Sequence, residues 1–243
     1  MNFDTIFNTG LRTIMDRCQI YPHVSSHIIN NVSRHIDDIK NIDDALNFVY
    51  SFEFLGVDFG PLQHKYEIER LLRVVDEIKP SIIIEIGTSR GGTLFLFTIV
   101  AESDANIISI DMPGGPFGGG YPKWKIPLYE SLARENQKIH LIRNDSHNPV
   151  VLDGIKGVLG DNEVDFLFLD GDHSYEGVKR DFEMYSPLVR RGGIVALHDI
   201  VEHPVETRCD VSKFWREVKS NYEHTEIVKD WQQRWAGIGV LFL

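Results

Sequence analysis

The stretch SIIIEIGTSRGGT, from Ser81 to Thr93, decides the fold of this chain. Its β-branched run Ile82 to Ile84 predicts a strand that is buried on both faces, as in parallel sheets covered by helices. A carboxylate, Glu85, ends the strand, and a glycine-rich turn and an apolar helical stretch follow it. Open α/β sheets bind ligands at the carboxyl ends of their strands. The turn is therefore the first candidate binding site.

Strand and helix patterns alternate after this stretch. Further strands are predicted over Asn106–Asp111, Ile139–Arg143, Val164–Asp170 and Ile194–Leu197, and a final hairpin over Glu223–Lys229 and Gly237–Leu243. Helices are predicted over Leu128–Asn136, Pro149–Leu159, Tyr175–Val189 and Ser212–Tyr222. Repeated β-α units imply a parallel sheet with helices on both faces. The sequence thus predicts an α/β fold with a doubly wound, mostly parallel, seven-stranded sheet.

The first part of the chain lacks this alternation of strands and helices. Residues 1–60 predict short helices over Ile6–Met15 and Val24–Ile39, and a third from an Asn41 cap to Phe52. We interpret residues 1–60 as a helical cap and residues 61–243 as the main domain, which begins with a helix over Pro61–Lys79. The cap either covers the surface of the sheet or closes over a substrate, and the sequence leaves both open.

Composition and charge exclude several classes of function. The chain has 243 residues and a formal net charge of -11, which argues against nucleic-acid binding because such sites need clustered Lys and Arg. Its two cysteines form no close-spaced motif, so we expect a reduced, cytoplasmic setting. No signal peptide or membrane span is predicted. The expected partner is a small molecule, and the N-terminal helices and the apolar C-terminal strand are possible surfaces for a homo-oligomer.

The spacing of the glycines bears on the ligand. They fall as G-x-x-x-G-G from Gly87, whereas a dinucleotide fingerprint requires G-x-G-x-x-G, so an NAD site is disfavoured. Asp111 lies 24 residues after Gly87, at the end of the second strand. An acidic residue there accepts hydrogen bonds from both ribose hydroxyls of a nucleoside. Asp111 therefore supports a nucleoside cofactor without choosing one, and an exposed turn aspartate is the alternative.

Acidic residues and histidines also follow two neighbouring strands. Asp170 and His173 come directly after the fourth strand, and His198 and Asp199 after the fifth. Adjacent strands lie about 4.8 Å apart, so carboxylates at these ends converge and need a compensating charge. Asp170 and Asp199 are hard ligands for Mg²⁺, and His198 would shift the preference toward Mn²⁺, Fe²⁺ or Zn²⁺. The alternative is a helix cap and a core histidine.

These motifs resemble a known enzyme family. The run from Glu85 to Gly91 resembles motif I of the class I S-adenosylmethionine-dependent methyltransferases, especially catechol O-methyltransferase. Residues 81–200 resemble the group of macrocin, mycinamicin and rhamnosyl O-methyltransferases and of cephalosporin hydroxylases. The resemblance implies a Rossmann-like methyltransferase fold that binds S-adenosylmethionine. The residues implied in cofactor binding are Glu85, Gly87, Thr88, Ser89, Gly91, Asp111, Asp145, Ser146 and Asp170. Asp145 is alternatively a cap of the next helix.

The same resemblance implies the chemistry. In the metal-dependent members, residues matching Asp170, His198 and Asp199 hold Mg²⁺, and a histidine matching His173 is the base. This chain departs at His198, where the antibiotic-sugar enzymes carry an acid, so His198 is a candidate both for the metal and for catalysis. The expected function is metal-assisted O-methylation of a vicinal diol, such as a sugar, with Mg²⁺, Mn²⁺ or Fe²⁺.

Two other interpretations remain open from the sequence. In a non-haem metal-dependent hydroxylase, His173, His198 and Asp170 would form the two-histidine, one-carboxylate set for Fe²⁺, but Glu85, Gly87 and Asp111 would then have no role. A non-catalytic cofactor-binding subunit would need no base. The glycine-rich loop from Pro113 to Pro122 is either a lid over the site or a mobile connection.

Overall fold

The computed structural model describes Met15, residues 20–117 and residues 119–243. The predicted helix Ile6–Met15 lies outside the described residues except for its last position. The helices are α1 (Tyr21–Ile36), α2 (Ile42–Ser51), α3 (Lys65–Ile78), α4 (Gly92–Val100), α5 (Ile126–Glu130), α6 (Pro149–Leu159), α7 (Tyr175–Tyr185) and α8 (Val211–Val218). The strands are β1 (Glu53–Phe54), β2 (Val57–Asp58), β3 (Ile82–Ile86), β4 (Asn106–Ile110), β5 (Lys138–Ile142), β6 (Val164–Leu169), β7 (Val189–His198), β8 (Glu223–Ile227) and β9 (Ile238–Phe242).

The seven longer strands form one sheet in the order β5-β4-β3-β6-β7-β9-β8. Strands β3 to β7 pair in parallel, and β9 pairs antiparallel with both β7 and β8. The predicted seven-stranded, mostly parallel sheet and its closing hairpin are therefore confirmed.

Both faces of the sheet are buried because helices pack on each of them. Neighbouring strand residues point to opposite faces, so they belong to different cores. Ile83 of β3 packs in a core with the N-terminal helices and α4, whereas Ile82, Ile84 and Ile86 pack in a second core with α6, α7 and α8. The helices before residue 60 share the first core with the sheet. Among the described residues, no helix combines the length and apolar character needed to cross a membrane.

Several predicted boundaries were wrong, including the helix predicted over Val24–Ile39, which is Tyr21–Ile36, and the helix predicted over Ser212–Tyr222, which is Val211–Val218. The predicted helix Tyr175–Val189 ends at Tyr185, and β7 starts at Val189, because Gly192 and Gly193 lie within the strand and pair with the backbone of Leu243. The helix predicted over Leu128–Asn136 is the short α5. The helix predicted from Pro61 begins at Lys65, where the side chain of His64 accepts a hydrogen bond from the Tyr66 N–H. The small β1–β2 hairpin was not predicted.

Candidate active site

The candidate site lies at the carboxyl edge of the sheet. Strands β4, β3, β6 and β7 end in register there. The residues at these ends stand in one row: Asp111, Gly87, Asp170 and His198. The register therefore brings together residues from four separate segments of the sequence.

The glycine turn after β3 packs tightly against its neighbours. Gly87 has a φ of 105°, and a Cβ atom there would lie 2.1 Å from the carbonyl oxygen of Asp170. A Cβ atom on Gly91 would lie 2.7 Å from the ring of Tyr129. The two glycines thus let the turn approach β6 and α5 closely. The Thr88 hydroxyl is 2.5 Å from that of Ser109 on β4, and this hydrogen bond ties the start of the turn to the neighbouring strand.

Glu85 lies behind this turn and does not line the cavity in front of it. Its side chain is fully buried and accepts hydrogen bonds of 2.5 Å from the hydroxyls of Thr93 and Ser109. Burial raises the pKa of Glu85 to about 8, although both hydroxyls favour its ionised form. The structure therefore places Glu85 as a support beneath the turn.

Asp111 reaches the front of the turn. Its two carboxylate oxygens accept hydrogen bonds from the Ser89 N–H (2.6 Å) and the Gly120 N–H (2.7 Å). Burial raises the pKa of this carboxyl, against the effect of these bonds. Each carboxylate oxygen has two lone pairs, so acceptor capacity remains for a ligand.

Asp111 stands between two connected cavities. The larger, of about 310 Å³, is lined by the glycine turn and by the polar residues after β6 and β7. The smaller, of about 60 Å³, is lined by Asp145 and Ser146 on its far side. Both cavities share walls formed by Gly87, Asp111, Phe117, Gly119 and Gly171. Together they form one groove along the edge of the sheet.

Asp145 does not cap α6. Its carboxylate accepts a hydrogen bond from the His147 N–H (2.9 Å), and the cap of α6 is Asn148, whose side chain accepts from the Val150 N–H (3.0 Å). The Ser146 carbonyl accepts a bond from the Tyr185 hydroxyl (2.7 Å). Asp145 is thus left at the wall of the small cavity.

A histidine bridges the two carboxylates in the large cavity. His198 Nδ1 lies 2.9 Å from Asp170 Oδ1 and 3.3 Å from Asp199 Oδ1. The other nitrogen, Nε2, is buried without a hydrogen-bond partner among the described residues. Burial opposes protonation of His198, but the two carboxylates raise its pKa well above the ordinary value. In the ligand-free site, protonated His198 therefore balances part of the negative charge of the two aspartates.

Asp199 organises the other side of the cavity. Its backbone is left-handed, with a φ of 65°, and this turns the carboxylate back toward the site. Oδ2 lies 2.7 Å from His173 Nδ1, while Oδ1 lies 3.1 Å from His203 Nε2 and accepts the Ala236 N–H at 3.0 Å. Burial disfavours the protonated form of both histidines. Their hydrogen bonds to Asp199 and Cys209 nevertheless raise the pKa of His173 to about 10 and that of His203 to about 9.

A comparison with known proteins places these residues in a family. A family profile described as "Methyltransferase domain" matches residues 84–200, which span the glycine turn, Asp111, Asp170 and Asp199. The fold and the position of these residues agree with that match. The chain has the fold of the class I S-adenosylmethionine-dependent methyltransferases, and residues 84–200 match a methyltransferase domain. The order β5-β4-β3-β6-β7-β9-β8 with one antiparallel strand is the sheet of this class.

Individual relatives agree with this methyltransferase domain. A rhamnosyl O-methyltransferase of Mycobacterium tuberculosis is 27% identical over 135 residues, covering 54% of this chain and 51% of the relative. An uncharacterised protein of Acanthamoeba polyphaga mimivirus is 29% identical over 130 residues, covering 49% of this chain and 52% of the relative. The matched segment thus spans about half the length of these two relatives.

Solved structures share the fold at low sequence identity. The O-methyltransferase TomG from Streptomyces achromogenes, in complex with SAM, has a TM-score of 0.53 at 16% identity, covering 85% of this chain and 90% of that chain. An O-methyltransferase from Bacillus cereus in complex with SAH has a TM-score of 0.55 at 14% identity, covering 88% and 97%. These likenesses extend the shared fold to both sides of residues 84–200.

Several polar residues in and around the candidate site were missed from the sequence, among them His203 and Cys209 on the cavity wall. Gln63, which is 5% exposed, donates a hydrogen bond to Asp170 Oδ2, and its own carbonyl Oε1 is buried without a partner among the described residues. Glu67 is fully buried on α3. Its carboxylate accepts the Lys229 N–H (2.9 Å) and the Gly237 N–H (2.8 Å), which holds the loop between β8 and β9.

Four aromatic residues in the loops around the groove have different surroundings. Trp235 lines the large cavity, whereas Trp124 stacks on Tyr21 with 4.5 Å between ring centroids, away from the cavity. Tyr121 is buried against Tyr129. Trp231, at 56% exposure, lies on the surface. Of Trp124, Trp231 and Trp235, Trp235 alone lines the large cavity.

The glycine-rich loop after β4 covers the groove. Phe117 of this loop lies 5.0 Å from the ring of His173, measured between centroids, and lines both cavities. A Cβ atom on Gly119 would lie 3.0 Å from Asp111 Oδ1, so a larger residue would crowd the carboxylate. Phe117 and Gly119 thus lie at the groove, and the lid stays a prediction.

Proposed function

We propose that this protein is an S-adenosylmethionine-dependent O-methyltransferase that acts on a hydroxyl group of a small molecule. The observation that carries the proposal is the pairing of Asp199 with His173 on the wall of the same cavity that the glycine turn and Asp111 line. A nucleoside-binding turn and an oriented base thus share one groove. The match to the methyltransferase family supports the cofactor.

The residues fit the cofactor. Asp111 would accept the ribose hydroxyls, and Asp145 and Ser146 line the small cavity that would receive the adenine. The turn at Gly87, Thr88 and Ser89 would hold the methionine part. The orphan carbonyl of Gln63 offers an acceptor for an N–H or O–H group of a ligand. When bound, the cofactor supplies an activated methyl group on sulfonium.

His173 would relieve the acceptor hydroxyl of its proton. Asp199 holds Nδ1 of the ring, so Nε2 is the nitrogen left for an acceptor. The pKa of about 10 means that the resting imidazole is protonated at neutral pH. A ligand that takes over the Asp199 carboxylate would weaken this pairing and lower the pKa of His173 toward the range of a general base.

We further propose a divalent cation at Asp170, His198 and Asp199. One ligand atom of each residue lies within 4.8 Å of the others, and two of the three donors are carboxylates. Mg²⁺, Mn²⁺ or Fe²⁺ fits this donor set. Bound there, the ion would lower the pKa of an acceptor hydroxyl and fix its direction.

The acceptor that fits best is a vicinal diol, such as a sugar. Two neighbouring oxygens suit a site with a cation and a base side by side, and Trp235 offers an aromatic wall on which a sugar face can stack. The rhamnosyl O-methyltransferase among the relatives supports this substrate class. The hydroxylase alternative is not favoured, since His173 pairs with Asp199 while His198 pairs with Asp170.

The test is methyl transfer from isotopically labelled S-adenosylmethionine to a panel of sugars and catechols, with and without Mg²⁺ or Mn²⁺. We expect a mono-O-methyl product whose formation needs His173, and the matched mono-hydroxyl compounds should react poorly. Cofactor that binds without methylating any hydroxyl acceptor would contradict O-methyl transfer. Equal rates with chelator and with metal would contradict the cation.

A further inference from the structure

A second set of metal-binding atoms lies beside the proposed cation site. His173, Asp199 and Cys209 each place one ligand atom within 4.8 Å of the others. Cys209 Sγ lies 3.8 Å from Asp199 Oδ2, which in turn lies 2.7 Å from His173 Nδ1. His203 adds a fourth possible donor, since its Nε2 lies 3.1 Å from Asp199 Oδ1. Imidazole, carboxylate and thiol thus converge on one point.

The backbone holds this second set in place. The Asp210 N–H donates a 2.8 Å hydrogen bond to the His173 carbonyl, which joins the loop after β6 to the residue next to Cys209. The Ala236 N–H fixes the Asp199 carboxylate from the other side. All four donor residues line the large cavity, so an ion has a path of entry.

The two sets differ in donor chemistry. The set of Asp170, His198 and Asp199 has two carboxylates, which suit hard ions such as Mg²⁺. The set with Cys209 has a sulfur donor and, with His203, a second imidazole, which together select borderline ions such as Zn²⁺ and Co²⁺. The Cys209 thiol is therefore the donor that distinguishes the second set from the first.

We infer that His173, Asp199 and Cys209, with His203 as the fourth donor, form a binding site for a borderline transition-metal ion such as Zn²⁺. Binding requires the thiolate and neutral imidazoles, so protons leave the Cys209 thiol, His173 and His203 to the solvent as the metal bonds form. The binding itself is independent of the proposed function. Its consequence rests on that function: an ion held by His173 withdraws the base, so Zn²⁺ should inhibit methyl transfer.

The first experiment needs no catalysis. Co²⁺ is added to the metal-free protein, and bound cobalt is measured by equilibrium dialysis together with the absorption spectrum. We expect one sulfur-to-cobalt charge-transfer band that saturates at one equivalent. The Cys209→Ser variant should lose this band and bind Zn²⁺ at least about tenfold more weakly.

Two controls make the result specific. Cys18→Ser removes the other cysteine and should keep the band, and Asp170→Asn removes a ligand of the hard-ion site and should also keep it. Bound cobalt without a sulfur band, or a band that survives Cys209→Ser, would overturn the proposed site. Zinc inhibition, scaled to each variant's own rate with Mg²⁺ and without Zn²⁺, should weaken in Cys209→Ser. If no methyl transfer is found at all, the cobalt spectrum still decides on the site.

Discussion

One aspartate stands at each end of strand β6, Asp165 inside the strand and Asp170 directly after it, and the two have opposite surroundings. At the amino edge, Asp165 accepts hydrogen bonds from the Ser81 N–H (2.8 Å), the Ile82 N–H (2.9 Å) and Arg190 Nε (2.6 Å). At the carboxyl edge, Asp170 meets the side chains of His198 and Gln63. His198 and Gln63 each keep a buried polar atom without a partner among the described residues.

This difference in hydrogen bonding indicates that the aspartate at the amino edge stabilises the fold, whereas the one at the carboxyl edge belongs to the candidate site. Burial raises the cost of the Asp165 charge, but its many donors outweigh this and lower the pKa of the carboxyl. All of those donors belong to the protein, so Asp165 is satisfied without a ligand. The unpaired atoms beside Asp170 cost free energy in the resting protein, and they line a cavity that a ligand can fill.

The largest effect should come from the carboxyl edge. Replacing His173 with Asn removes the proposed base and should lower the rate of methyl transfer by about 10²- to 10⁴-fold. The affinity for S-adenosylhomocysteine, measured by calorimetry, should stay unchanged because the cofactor part of the groove is intact. A variant that loses cofactor affinity in proportion to its rate would mean that His173 supports the fold of the groove instead.

A second prediction concerns Glu85, a carboxyl-edge acid closed off from the cavity. The folded protein keeps its proton up to about pH 8, whereas the unfolded chain loses it near the ordinary pKa of 4.5. Between these values the folded state binds more protons, so the free energy of unfolding should fall as pH rises, by on the order of a few kcal/mol. Urea denaturation across this window should show a flatter profile for Glu85→Gln.

The control for this profile comes from the amino edge. The pKa of Asp165 is lowered, so its contribution is complete above the ordinary pKa of 3.8 and is lost only as pH falls through the folded value. Asp165→Asn should therefore lower the whole profile without changing its slope above pH 5. An equal slope in the wild type and in Glu85→Gln would show that Glu85 ionises normally.

A third prediction tests the structural role of Asp165 directly. Asp165→Asn leaves backbone donors poorly satisfied and should reduce the free energy of unfolding by about 1–3 kcal/mol. The catalytic rate constant should not change at a temperature where the variant is folded. A large loss of rate with little loss of stability would break the contrast between the two edges.

The smallest effect is expected for Glu67, which positions the site from a distance. Its carboxylate holds the loop that brings Trp235 to the cavity and the Ala236 N–H to Asp199. Glu67→Gln should raise the KM for the acceptor by about tenfold, since one bond of about 1.4 kcal/mol is weakened, and should leave cofactor affinity unchanged. A parallel loss of cofactor affinity would indicate general disorder of the edge.

The sheet could be predicted because its signals are local. Runs such as Ile82 to Ile84, each ending in a carboxylate or a glycine, are visible without any partner, and strand register then places their ends in one row. The start of β7 could not be predicted. Gly192 and Gly193 read as the exit of a helix, but pairing with the distant Leu243 keeps them in the strand.

The parts of the site that were missed depend on contacts far apart in sequence. Gln63 meets Asp170 across 107 positions, and Glu67 meets Gly237 across 170. Neither residue belongs to a motif, so no local pattern indicates its role. Cys209 was dismissed because it has no cysteine nearby, whereas the fold supplies histidines and an aspartate as its neighbours.

The central claim is that the carboxyl edge binds S-adenosylmethionine and the amino edge does not contribute to binding. The most direct measurement is calorimetric titration of S-adenosylhomocysteine into the wild type, Asp111→Ala and Asp165→Asn. The account predicts saturable one-to-one binding to the wild type, strong weakening in Asp111→Ala and unchanged affinity in folded Asp165→Asn. Absence of binding to the wild type, with or without divalent metal, would contradict it.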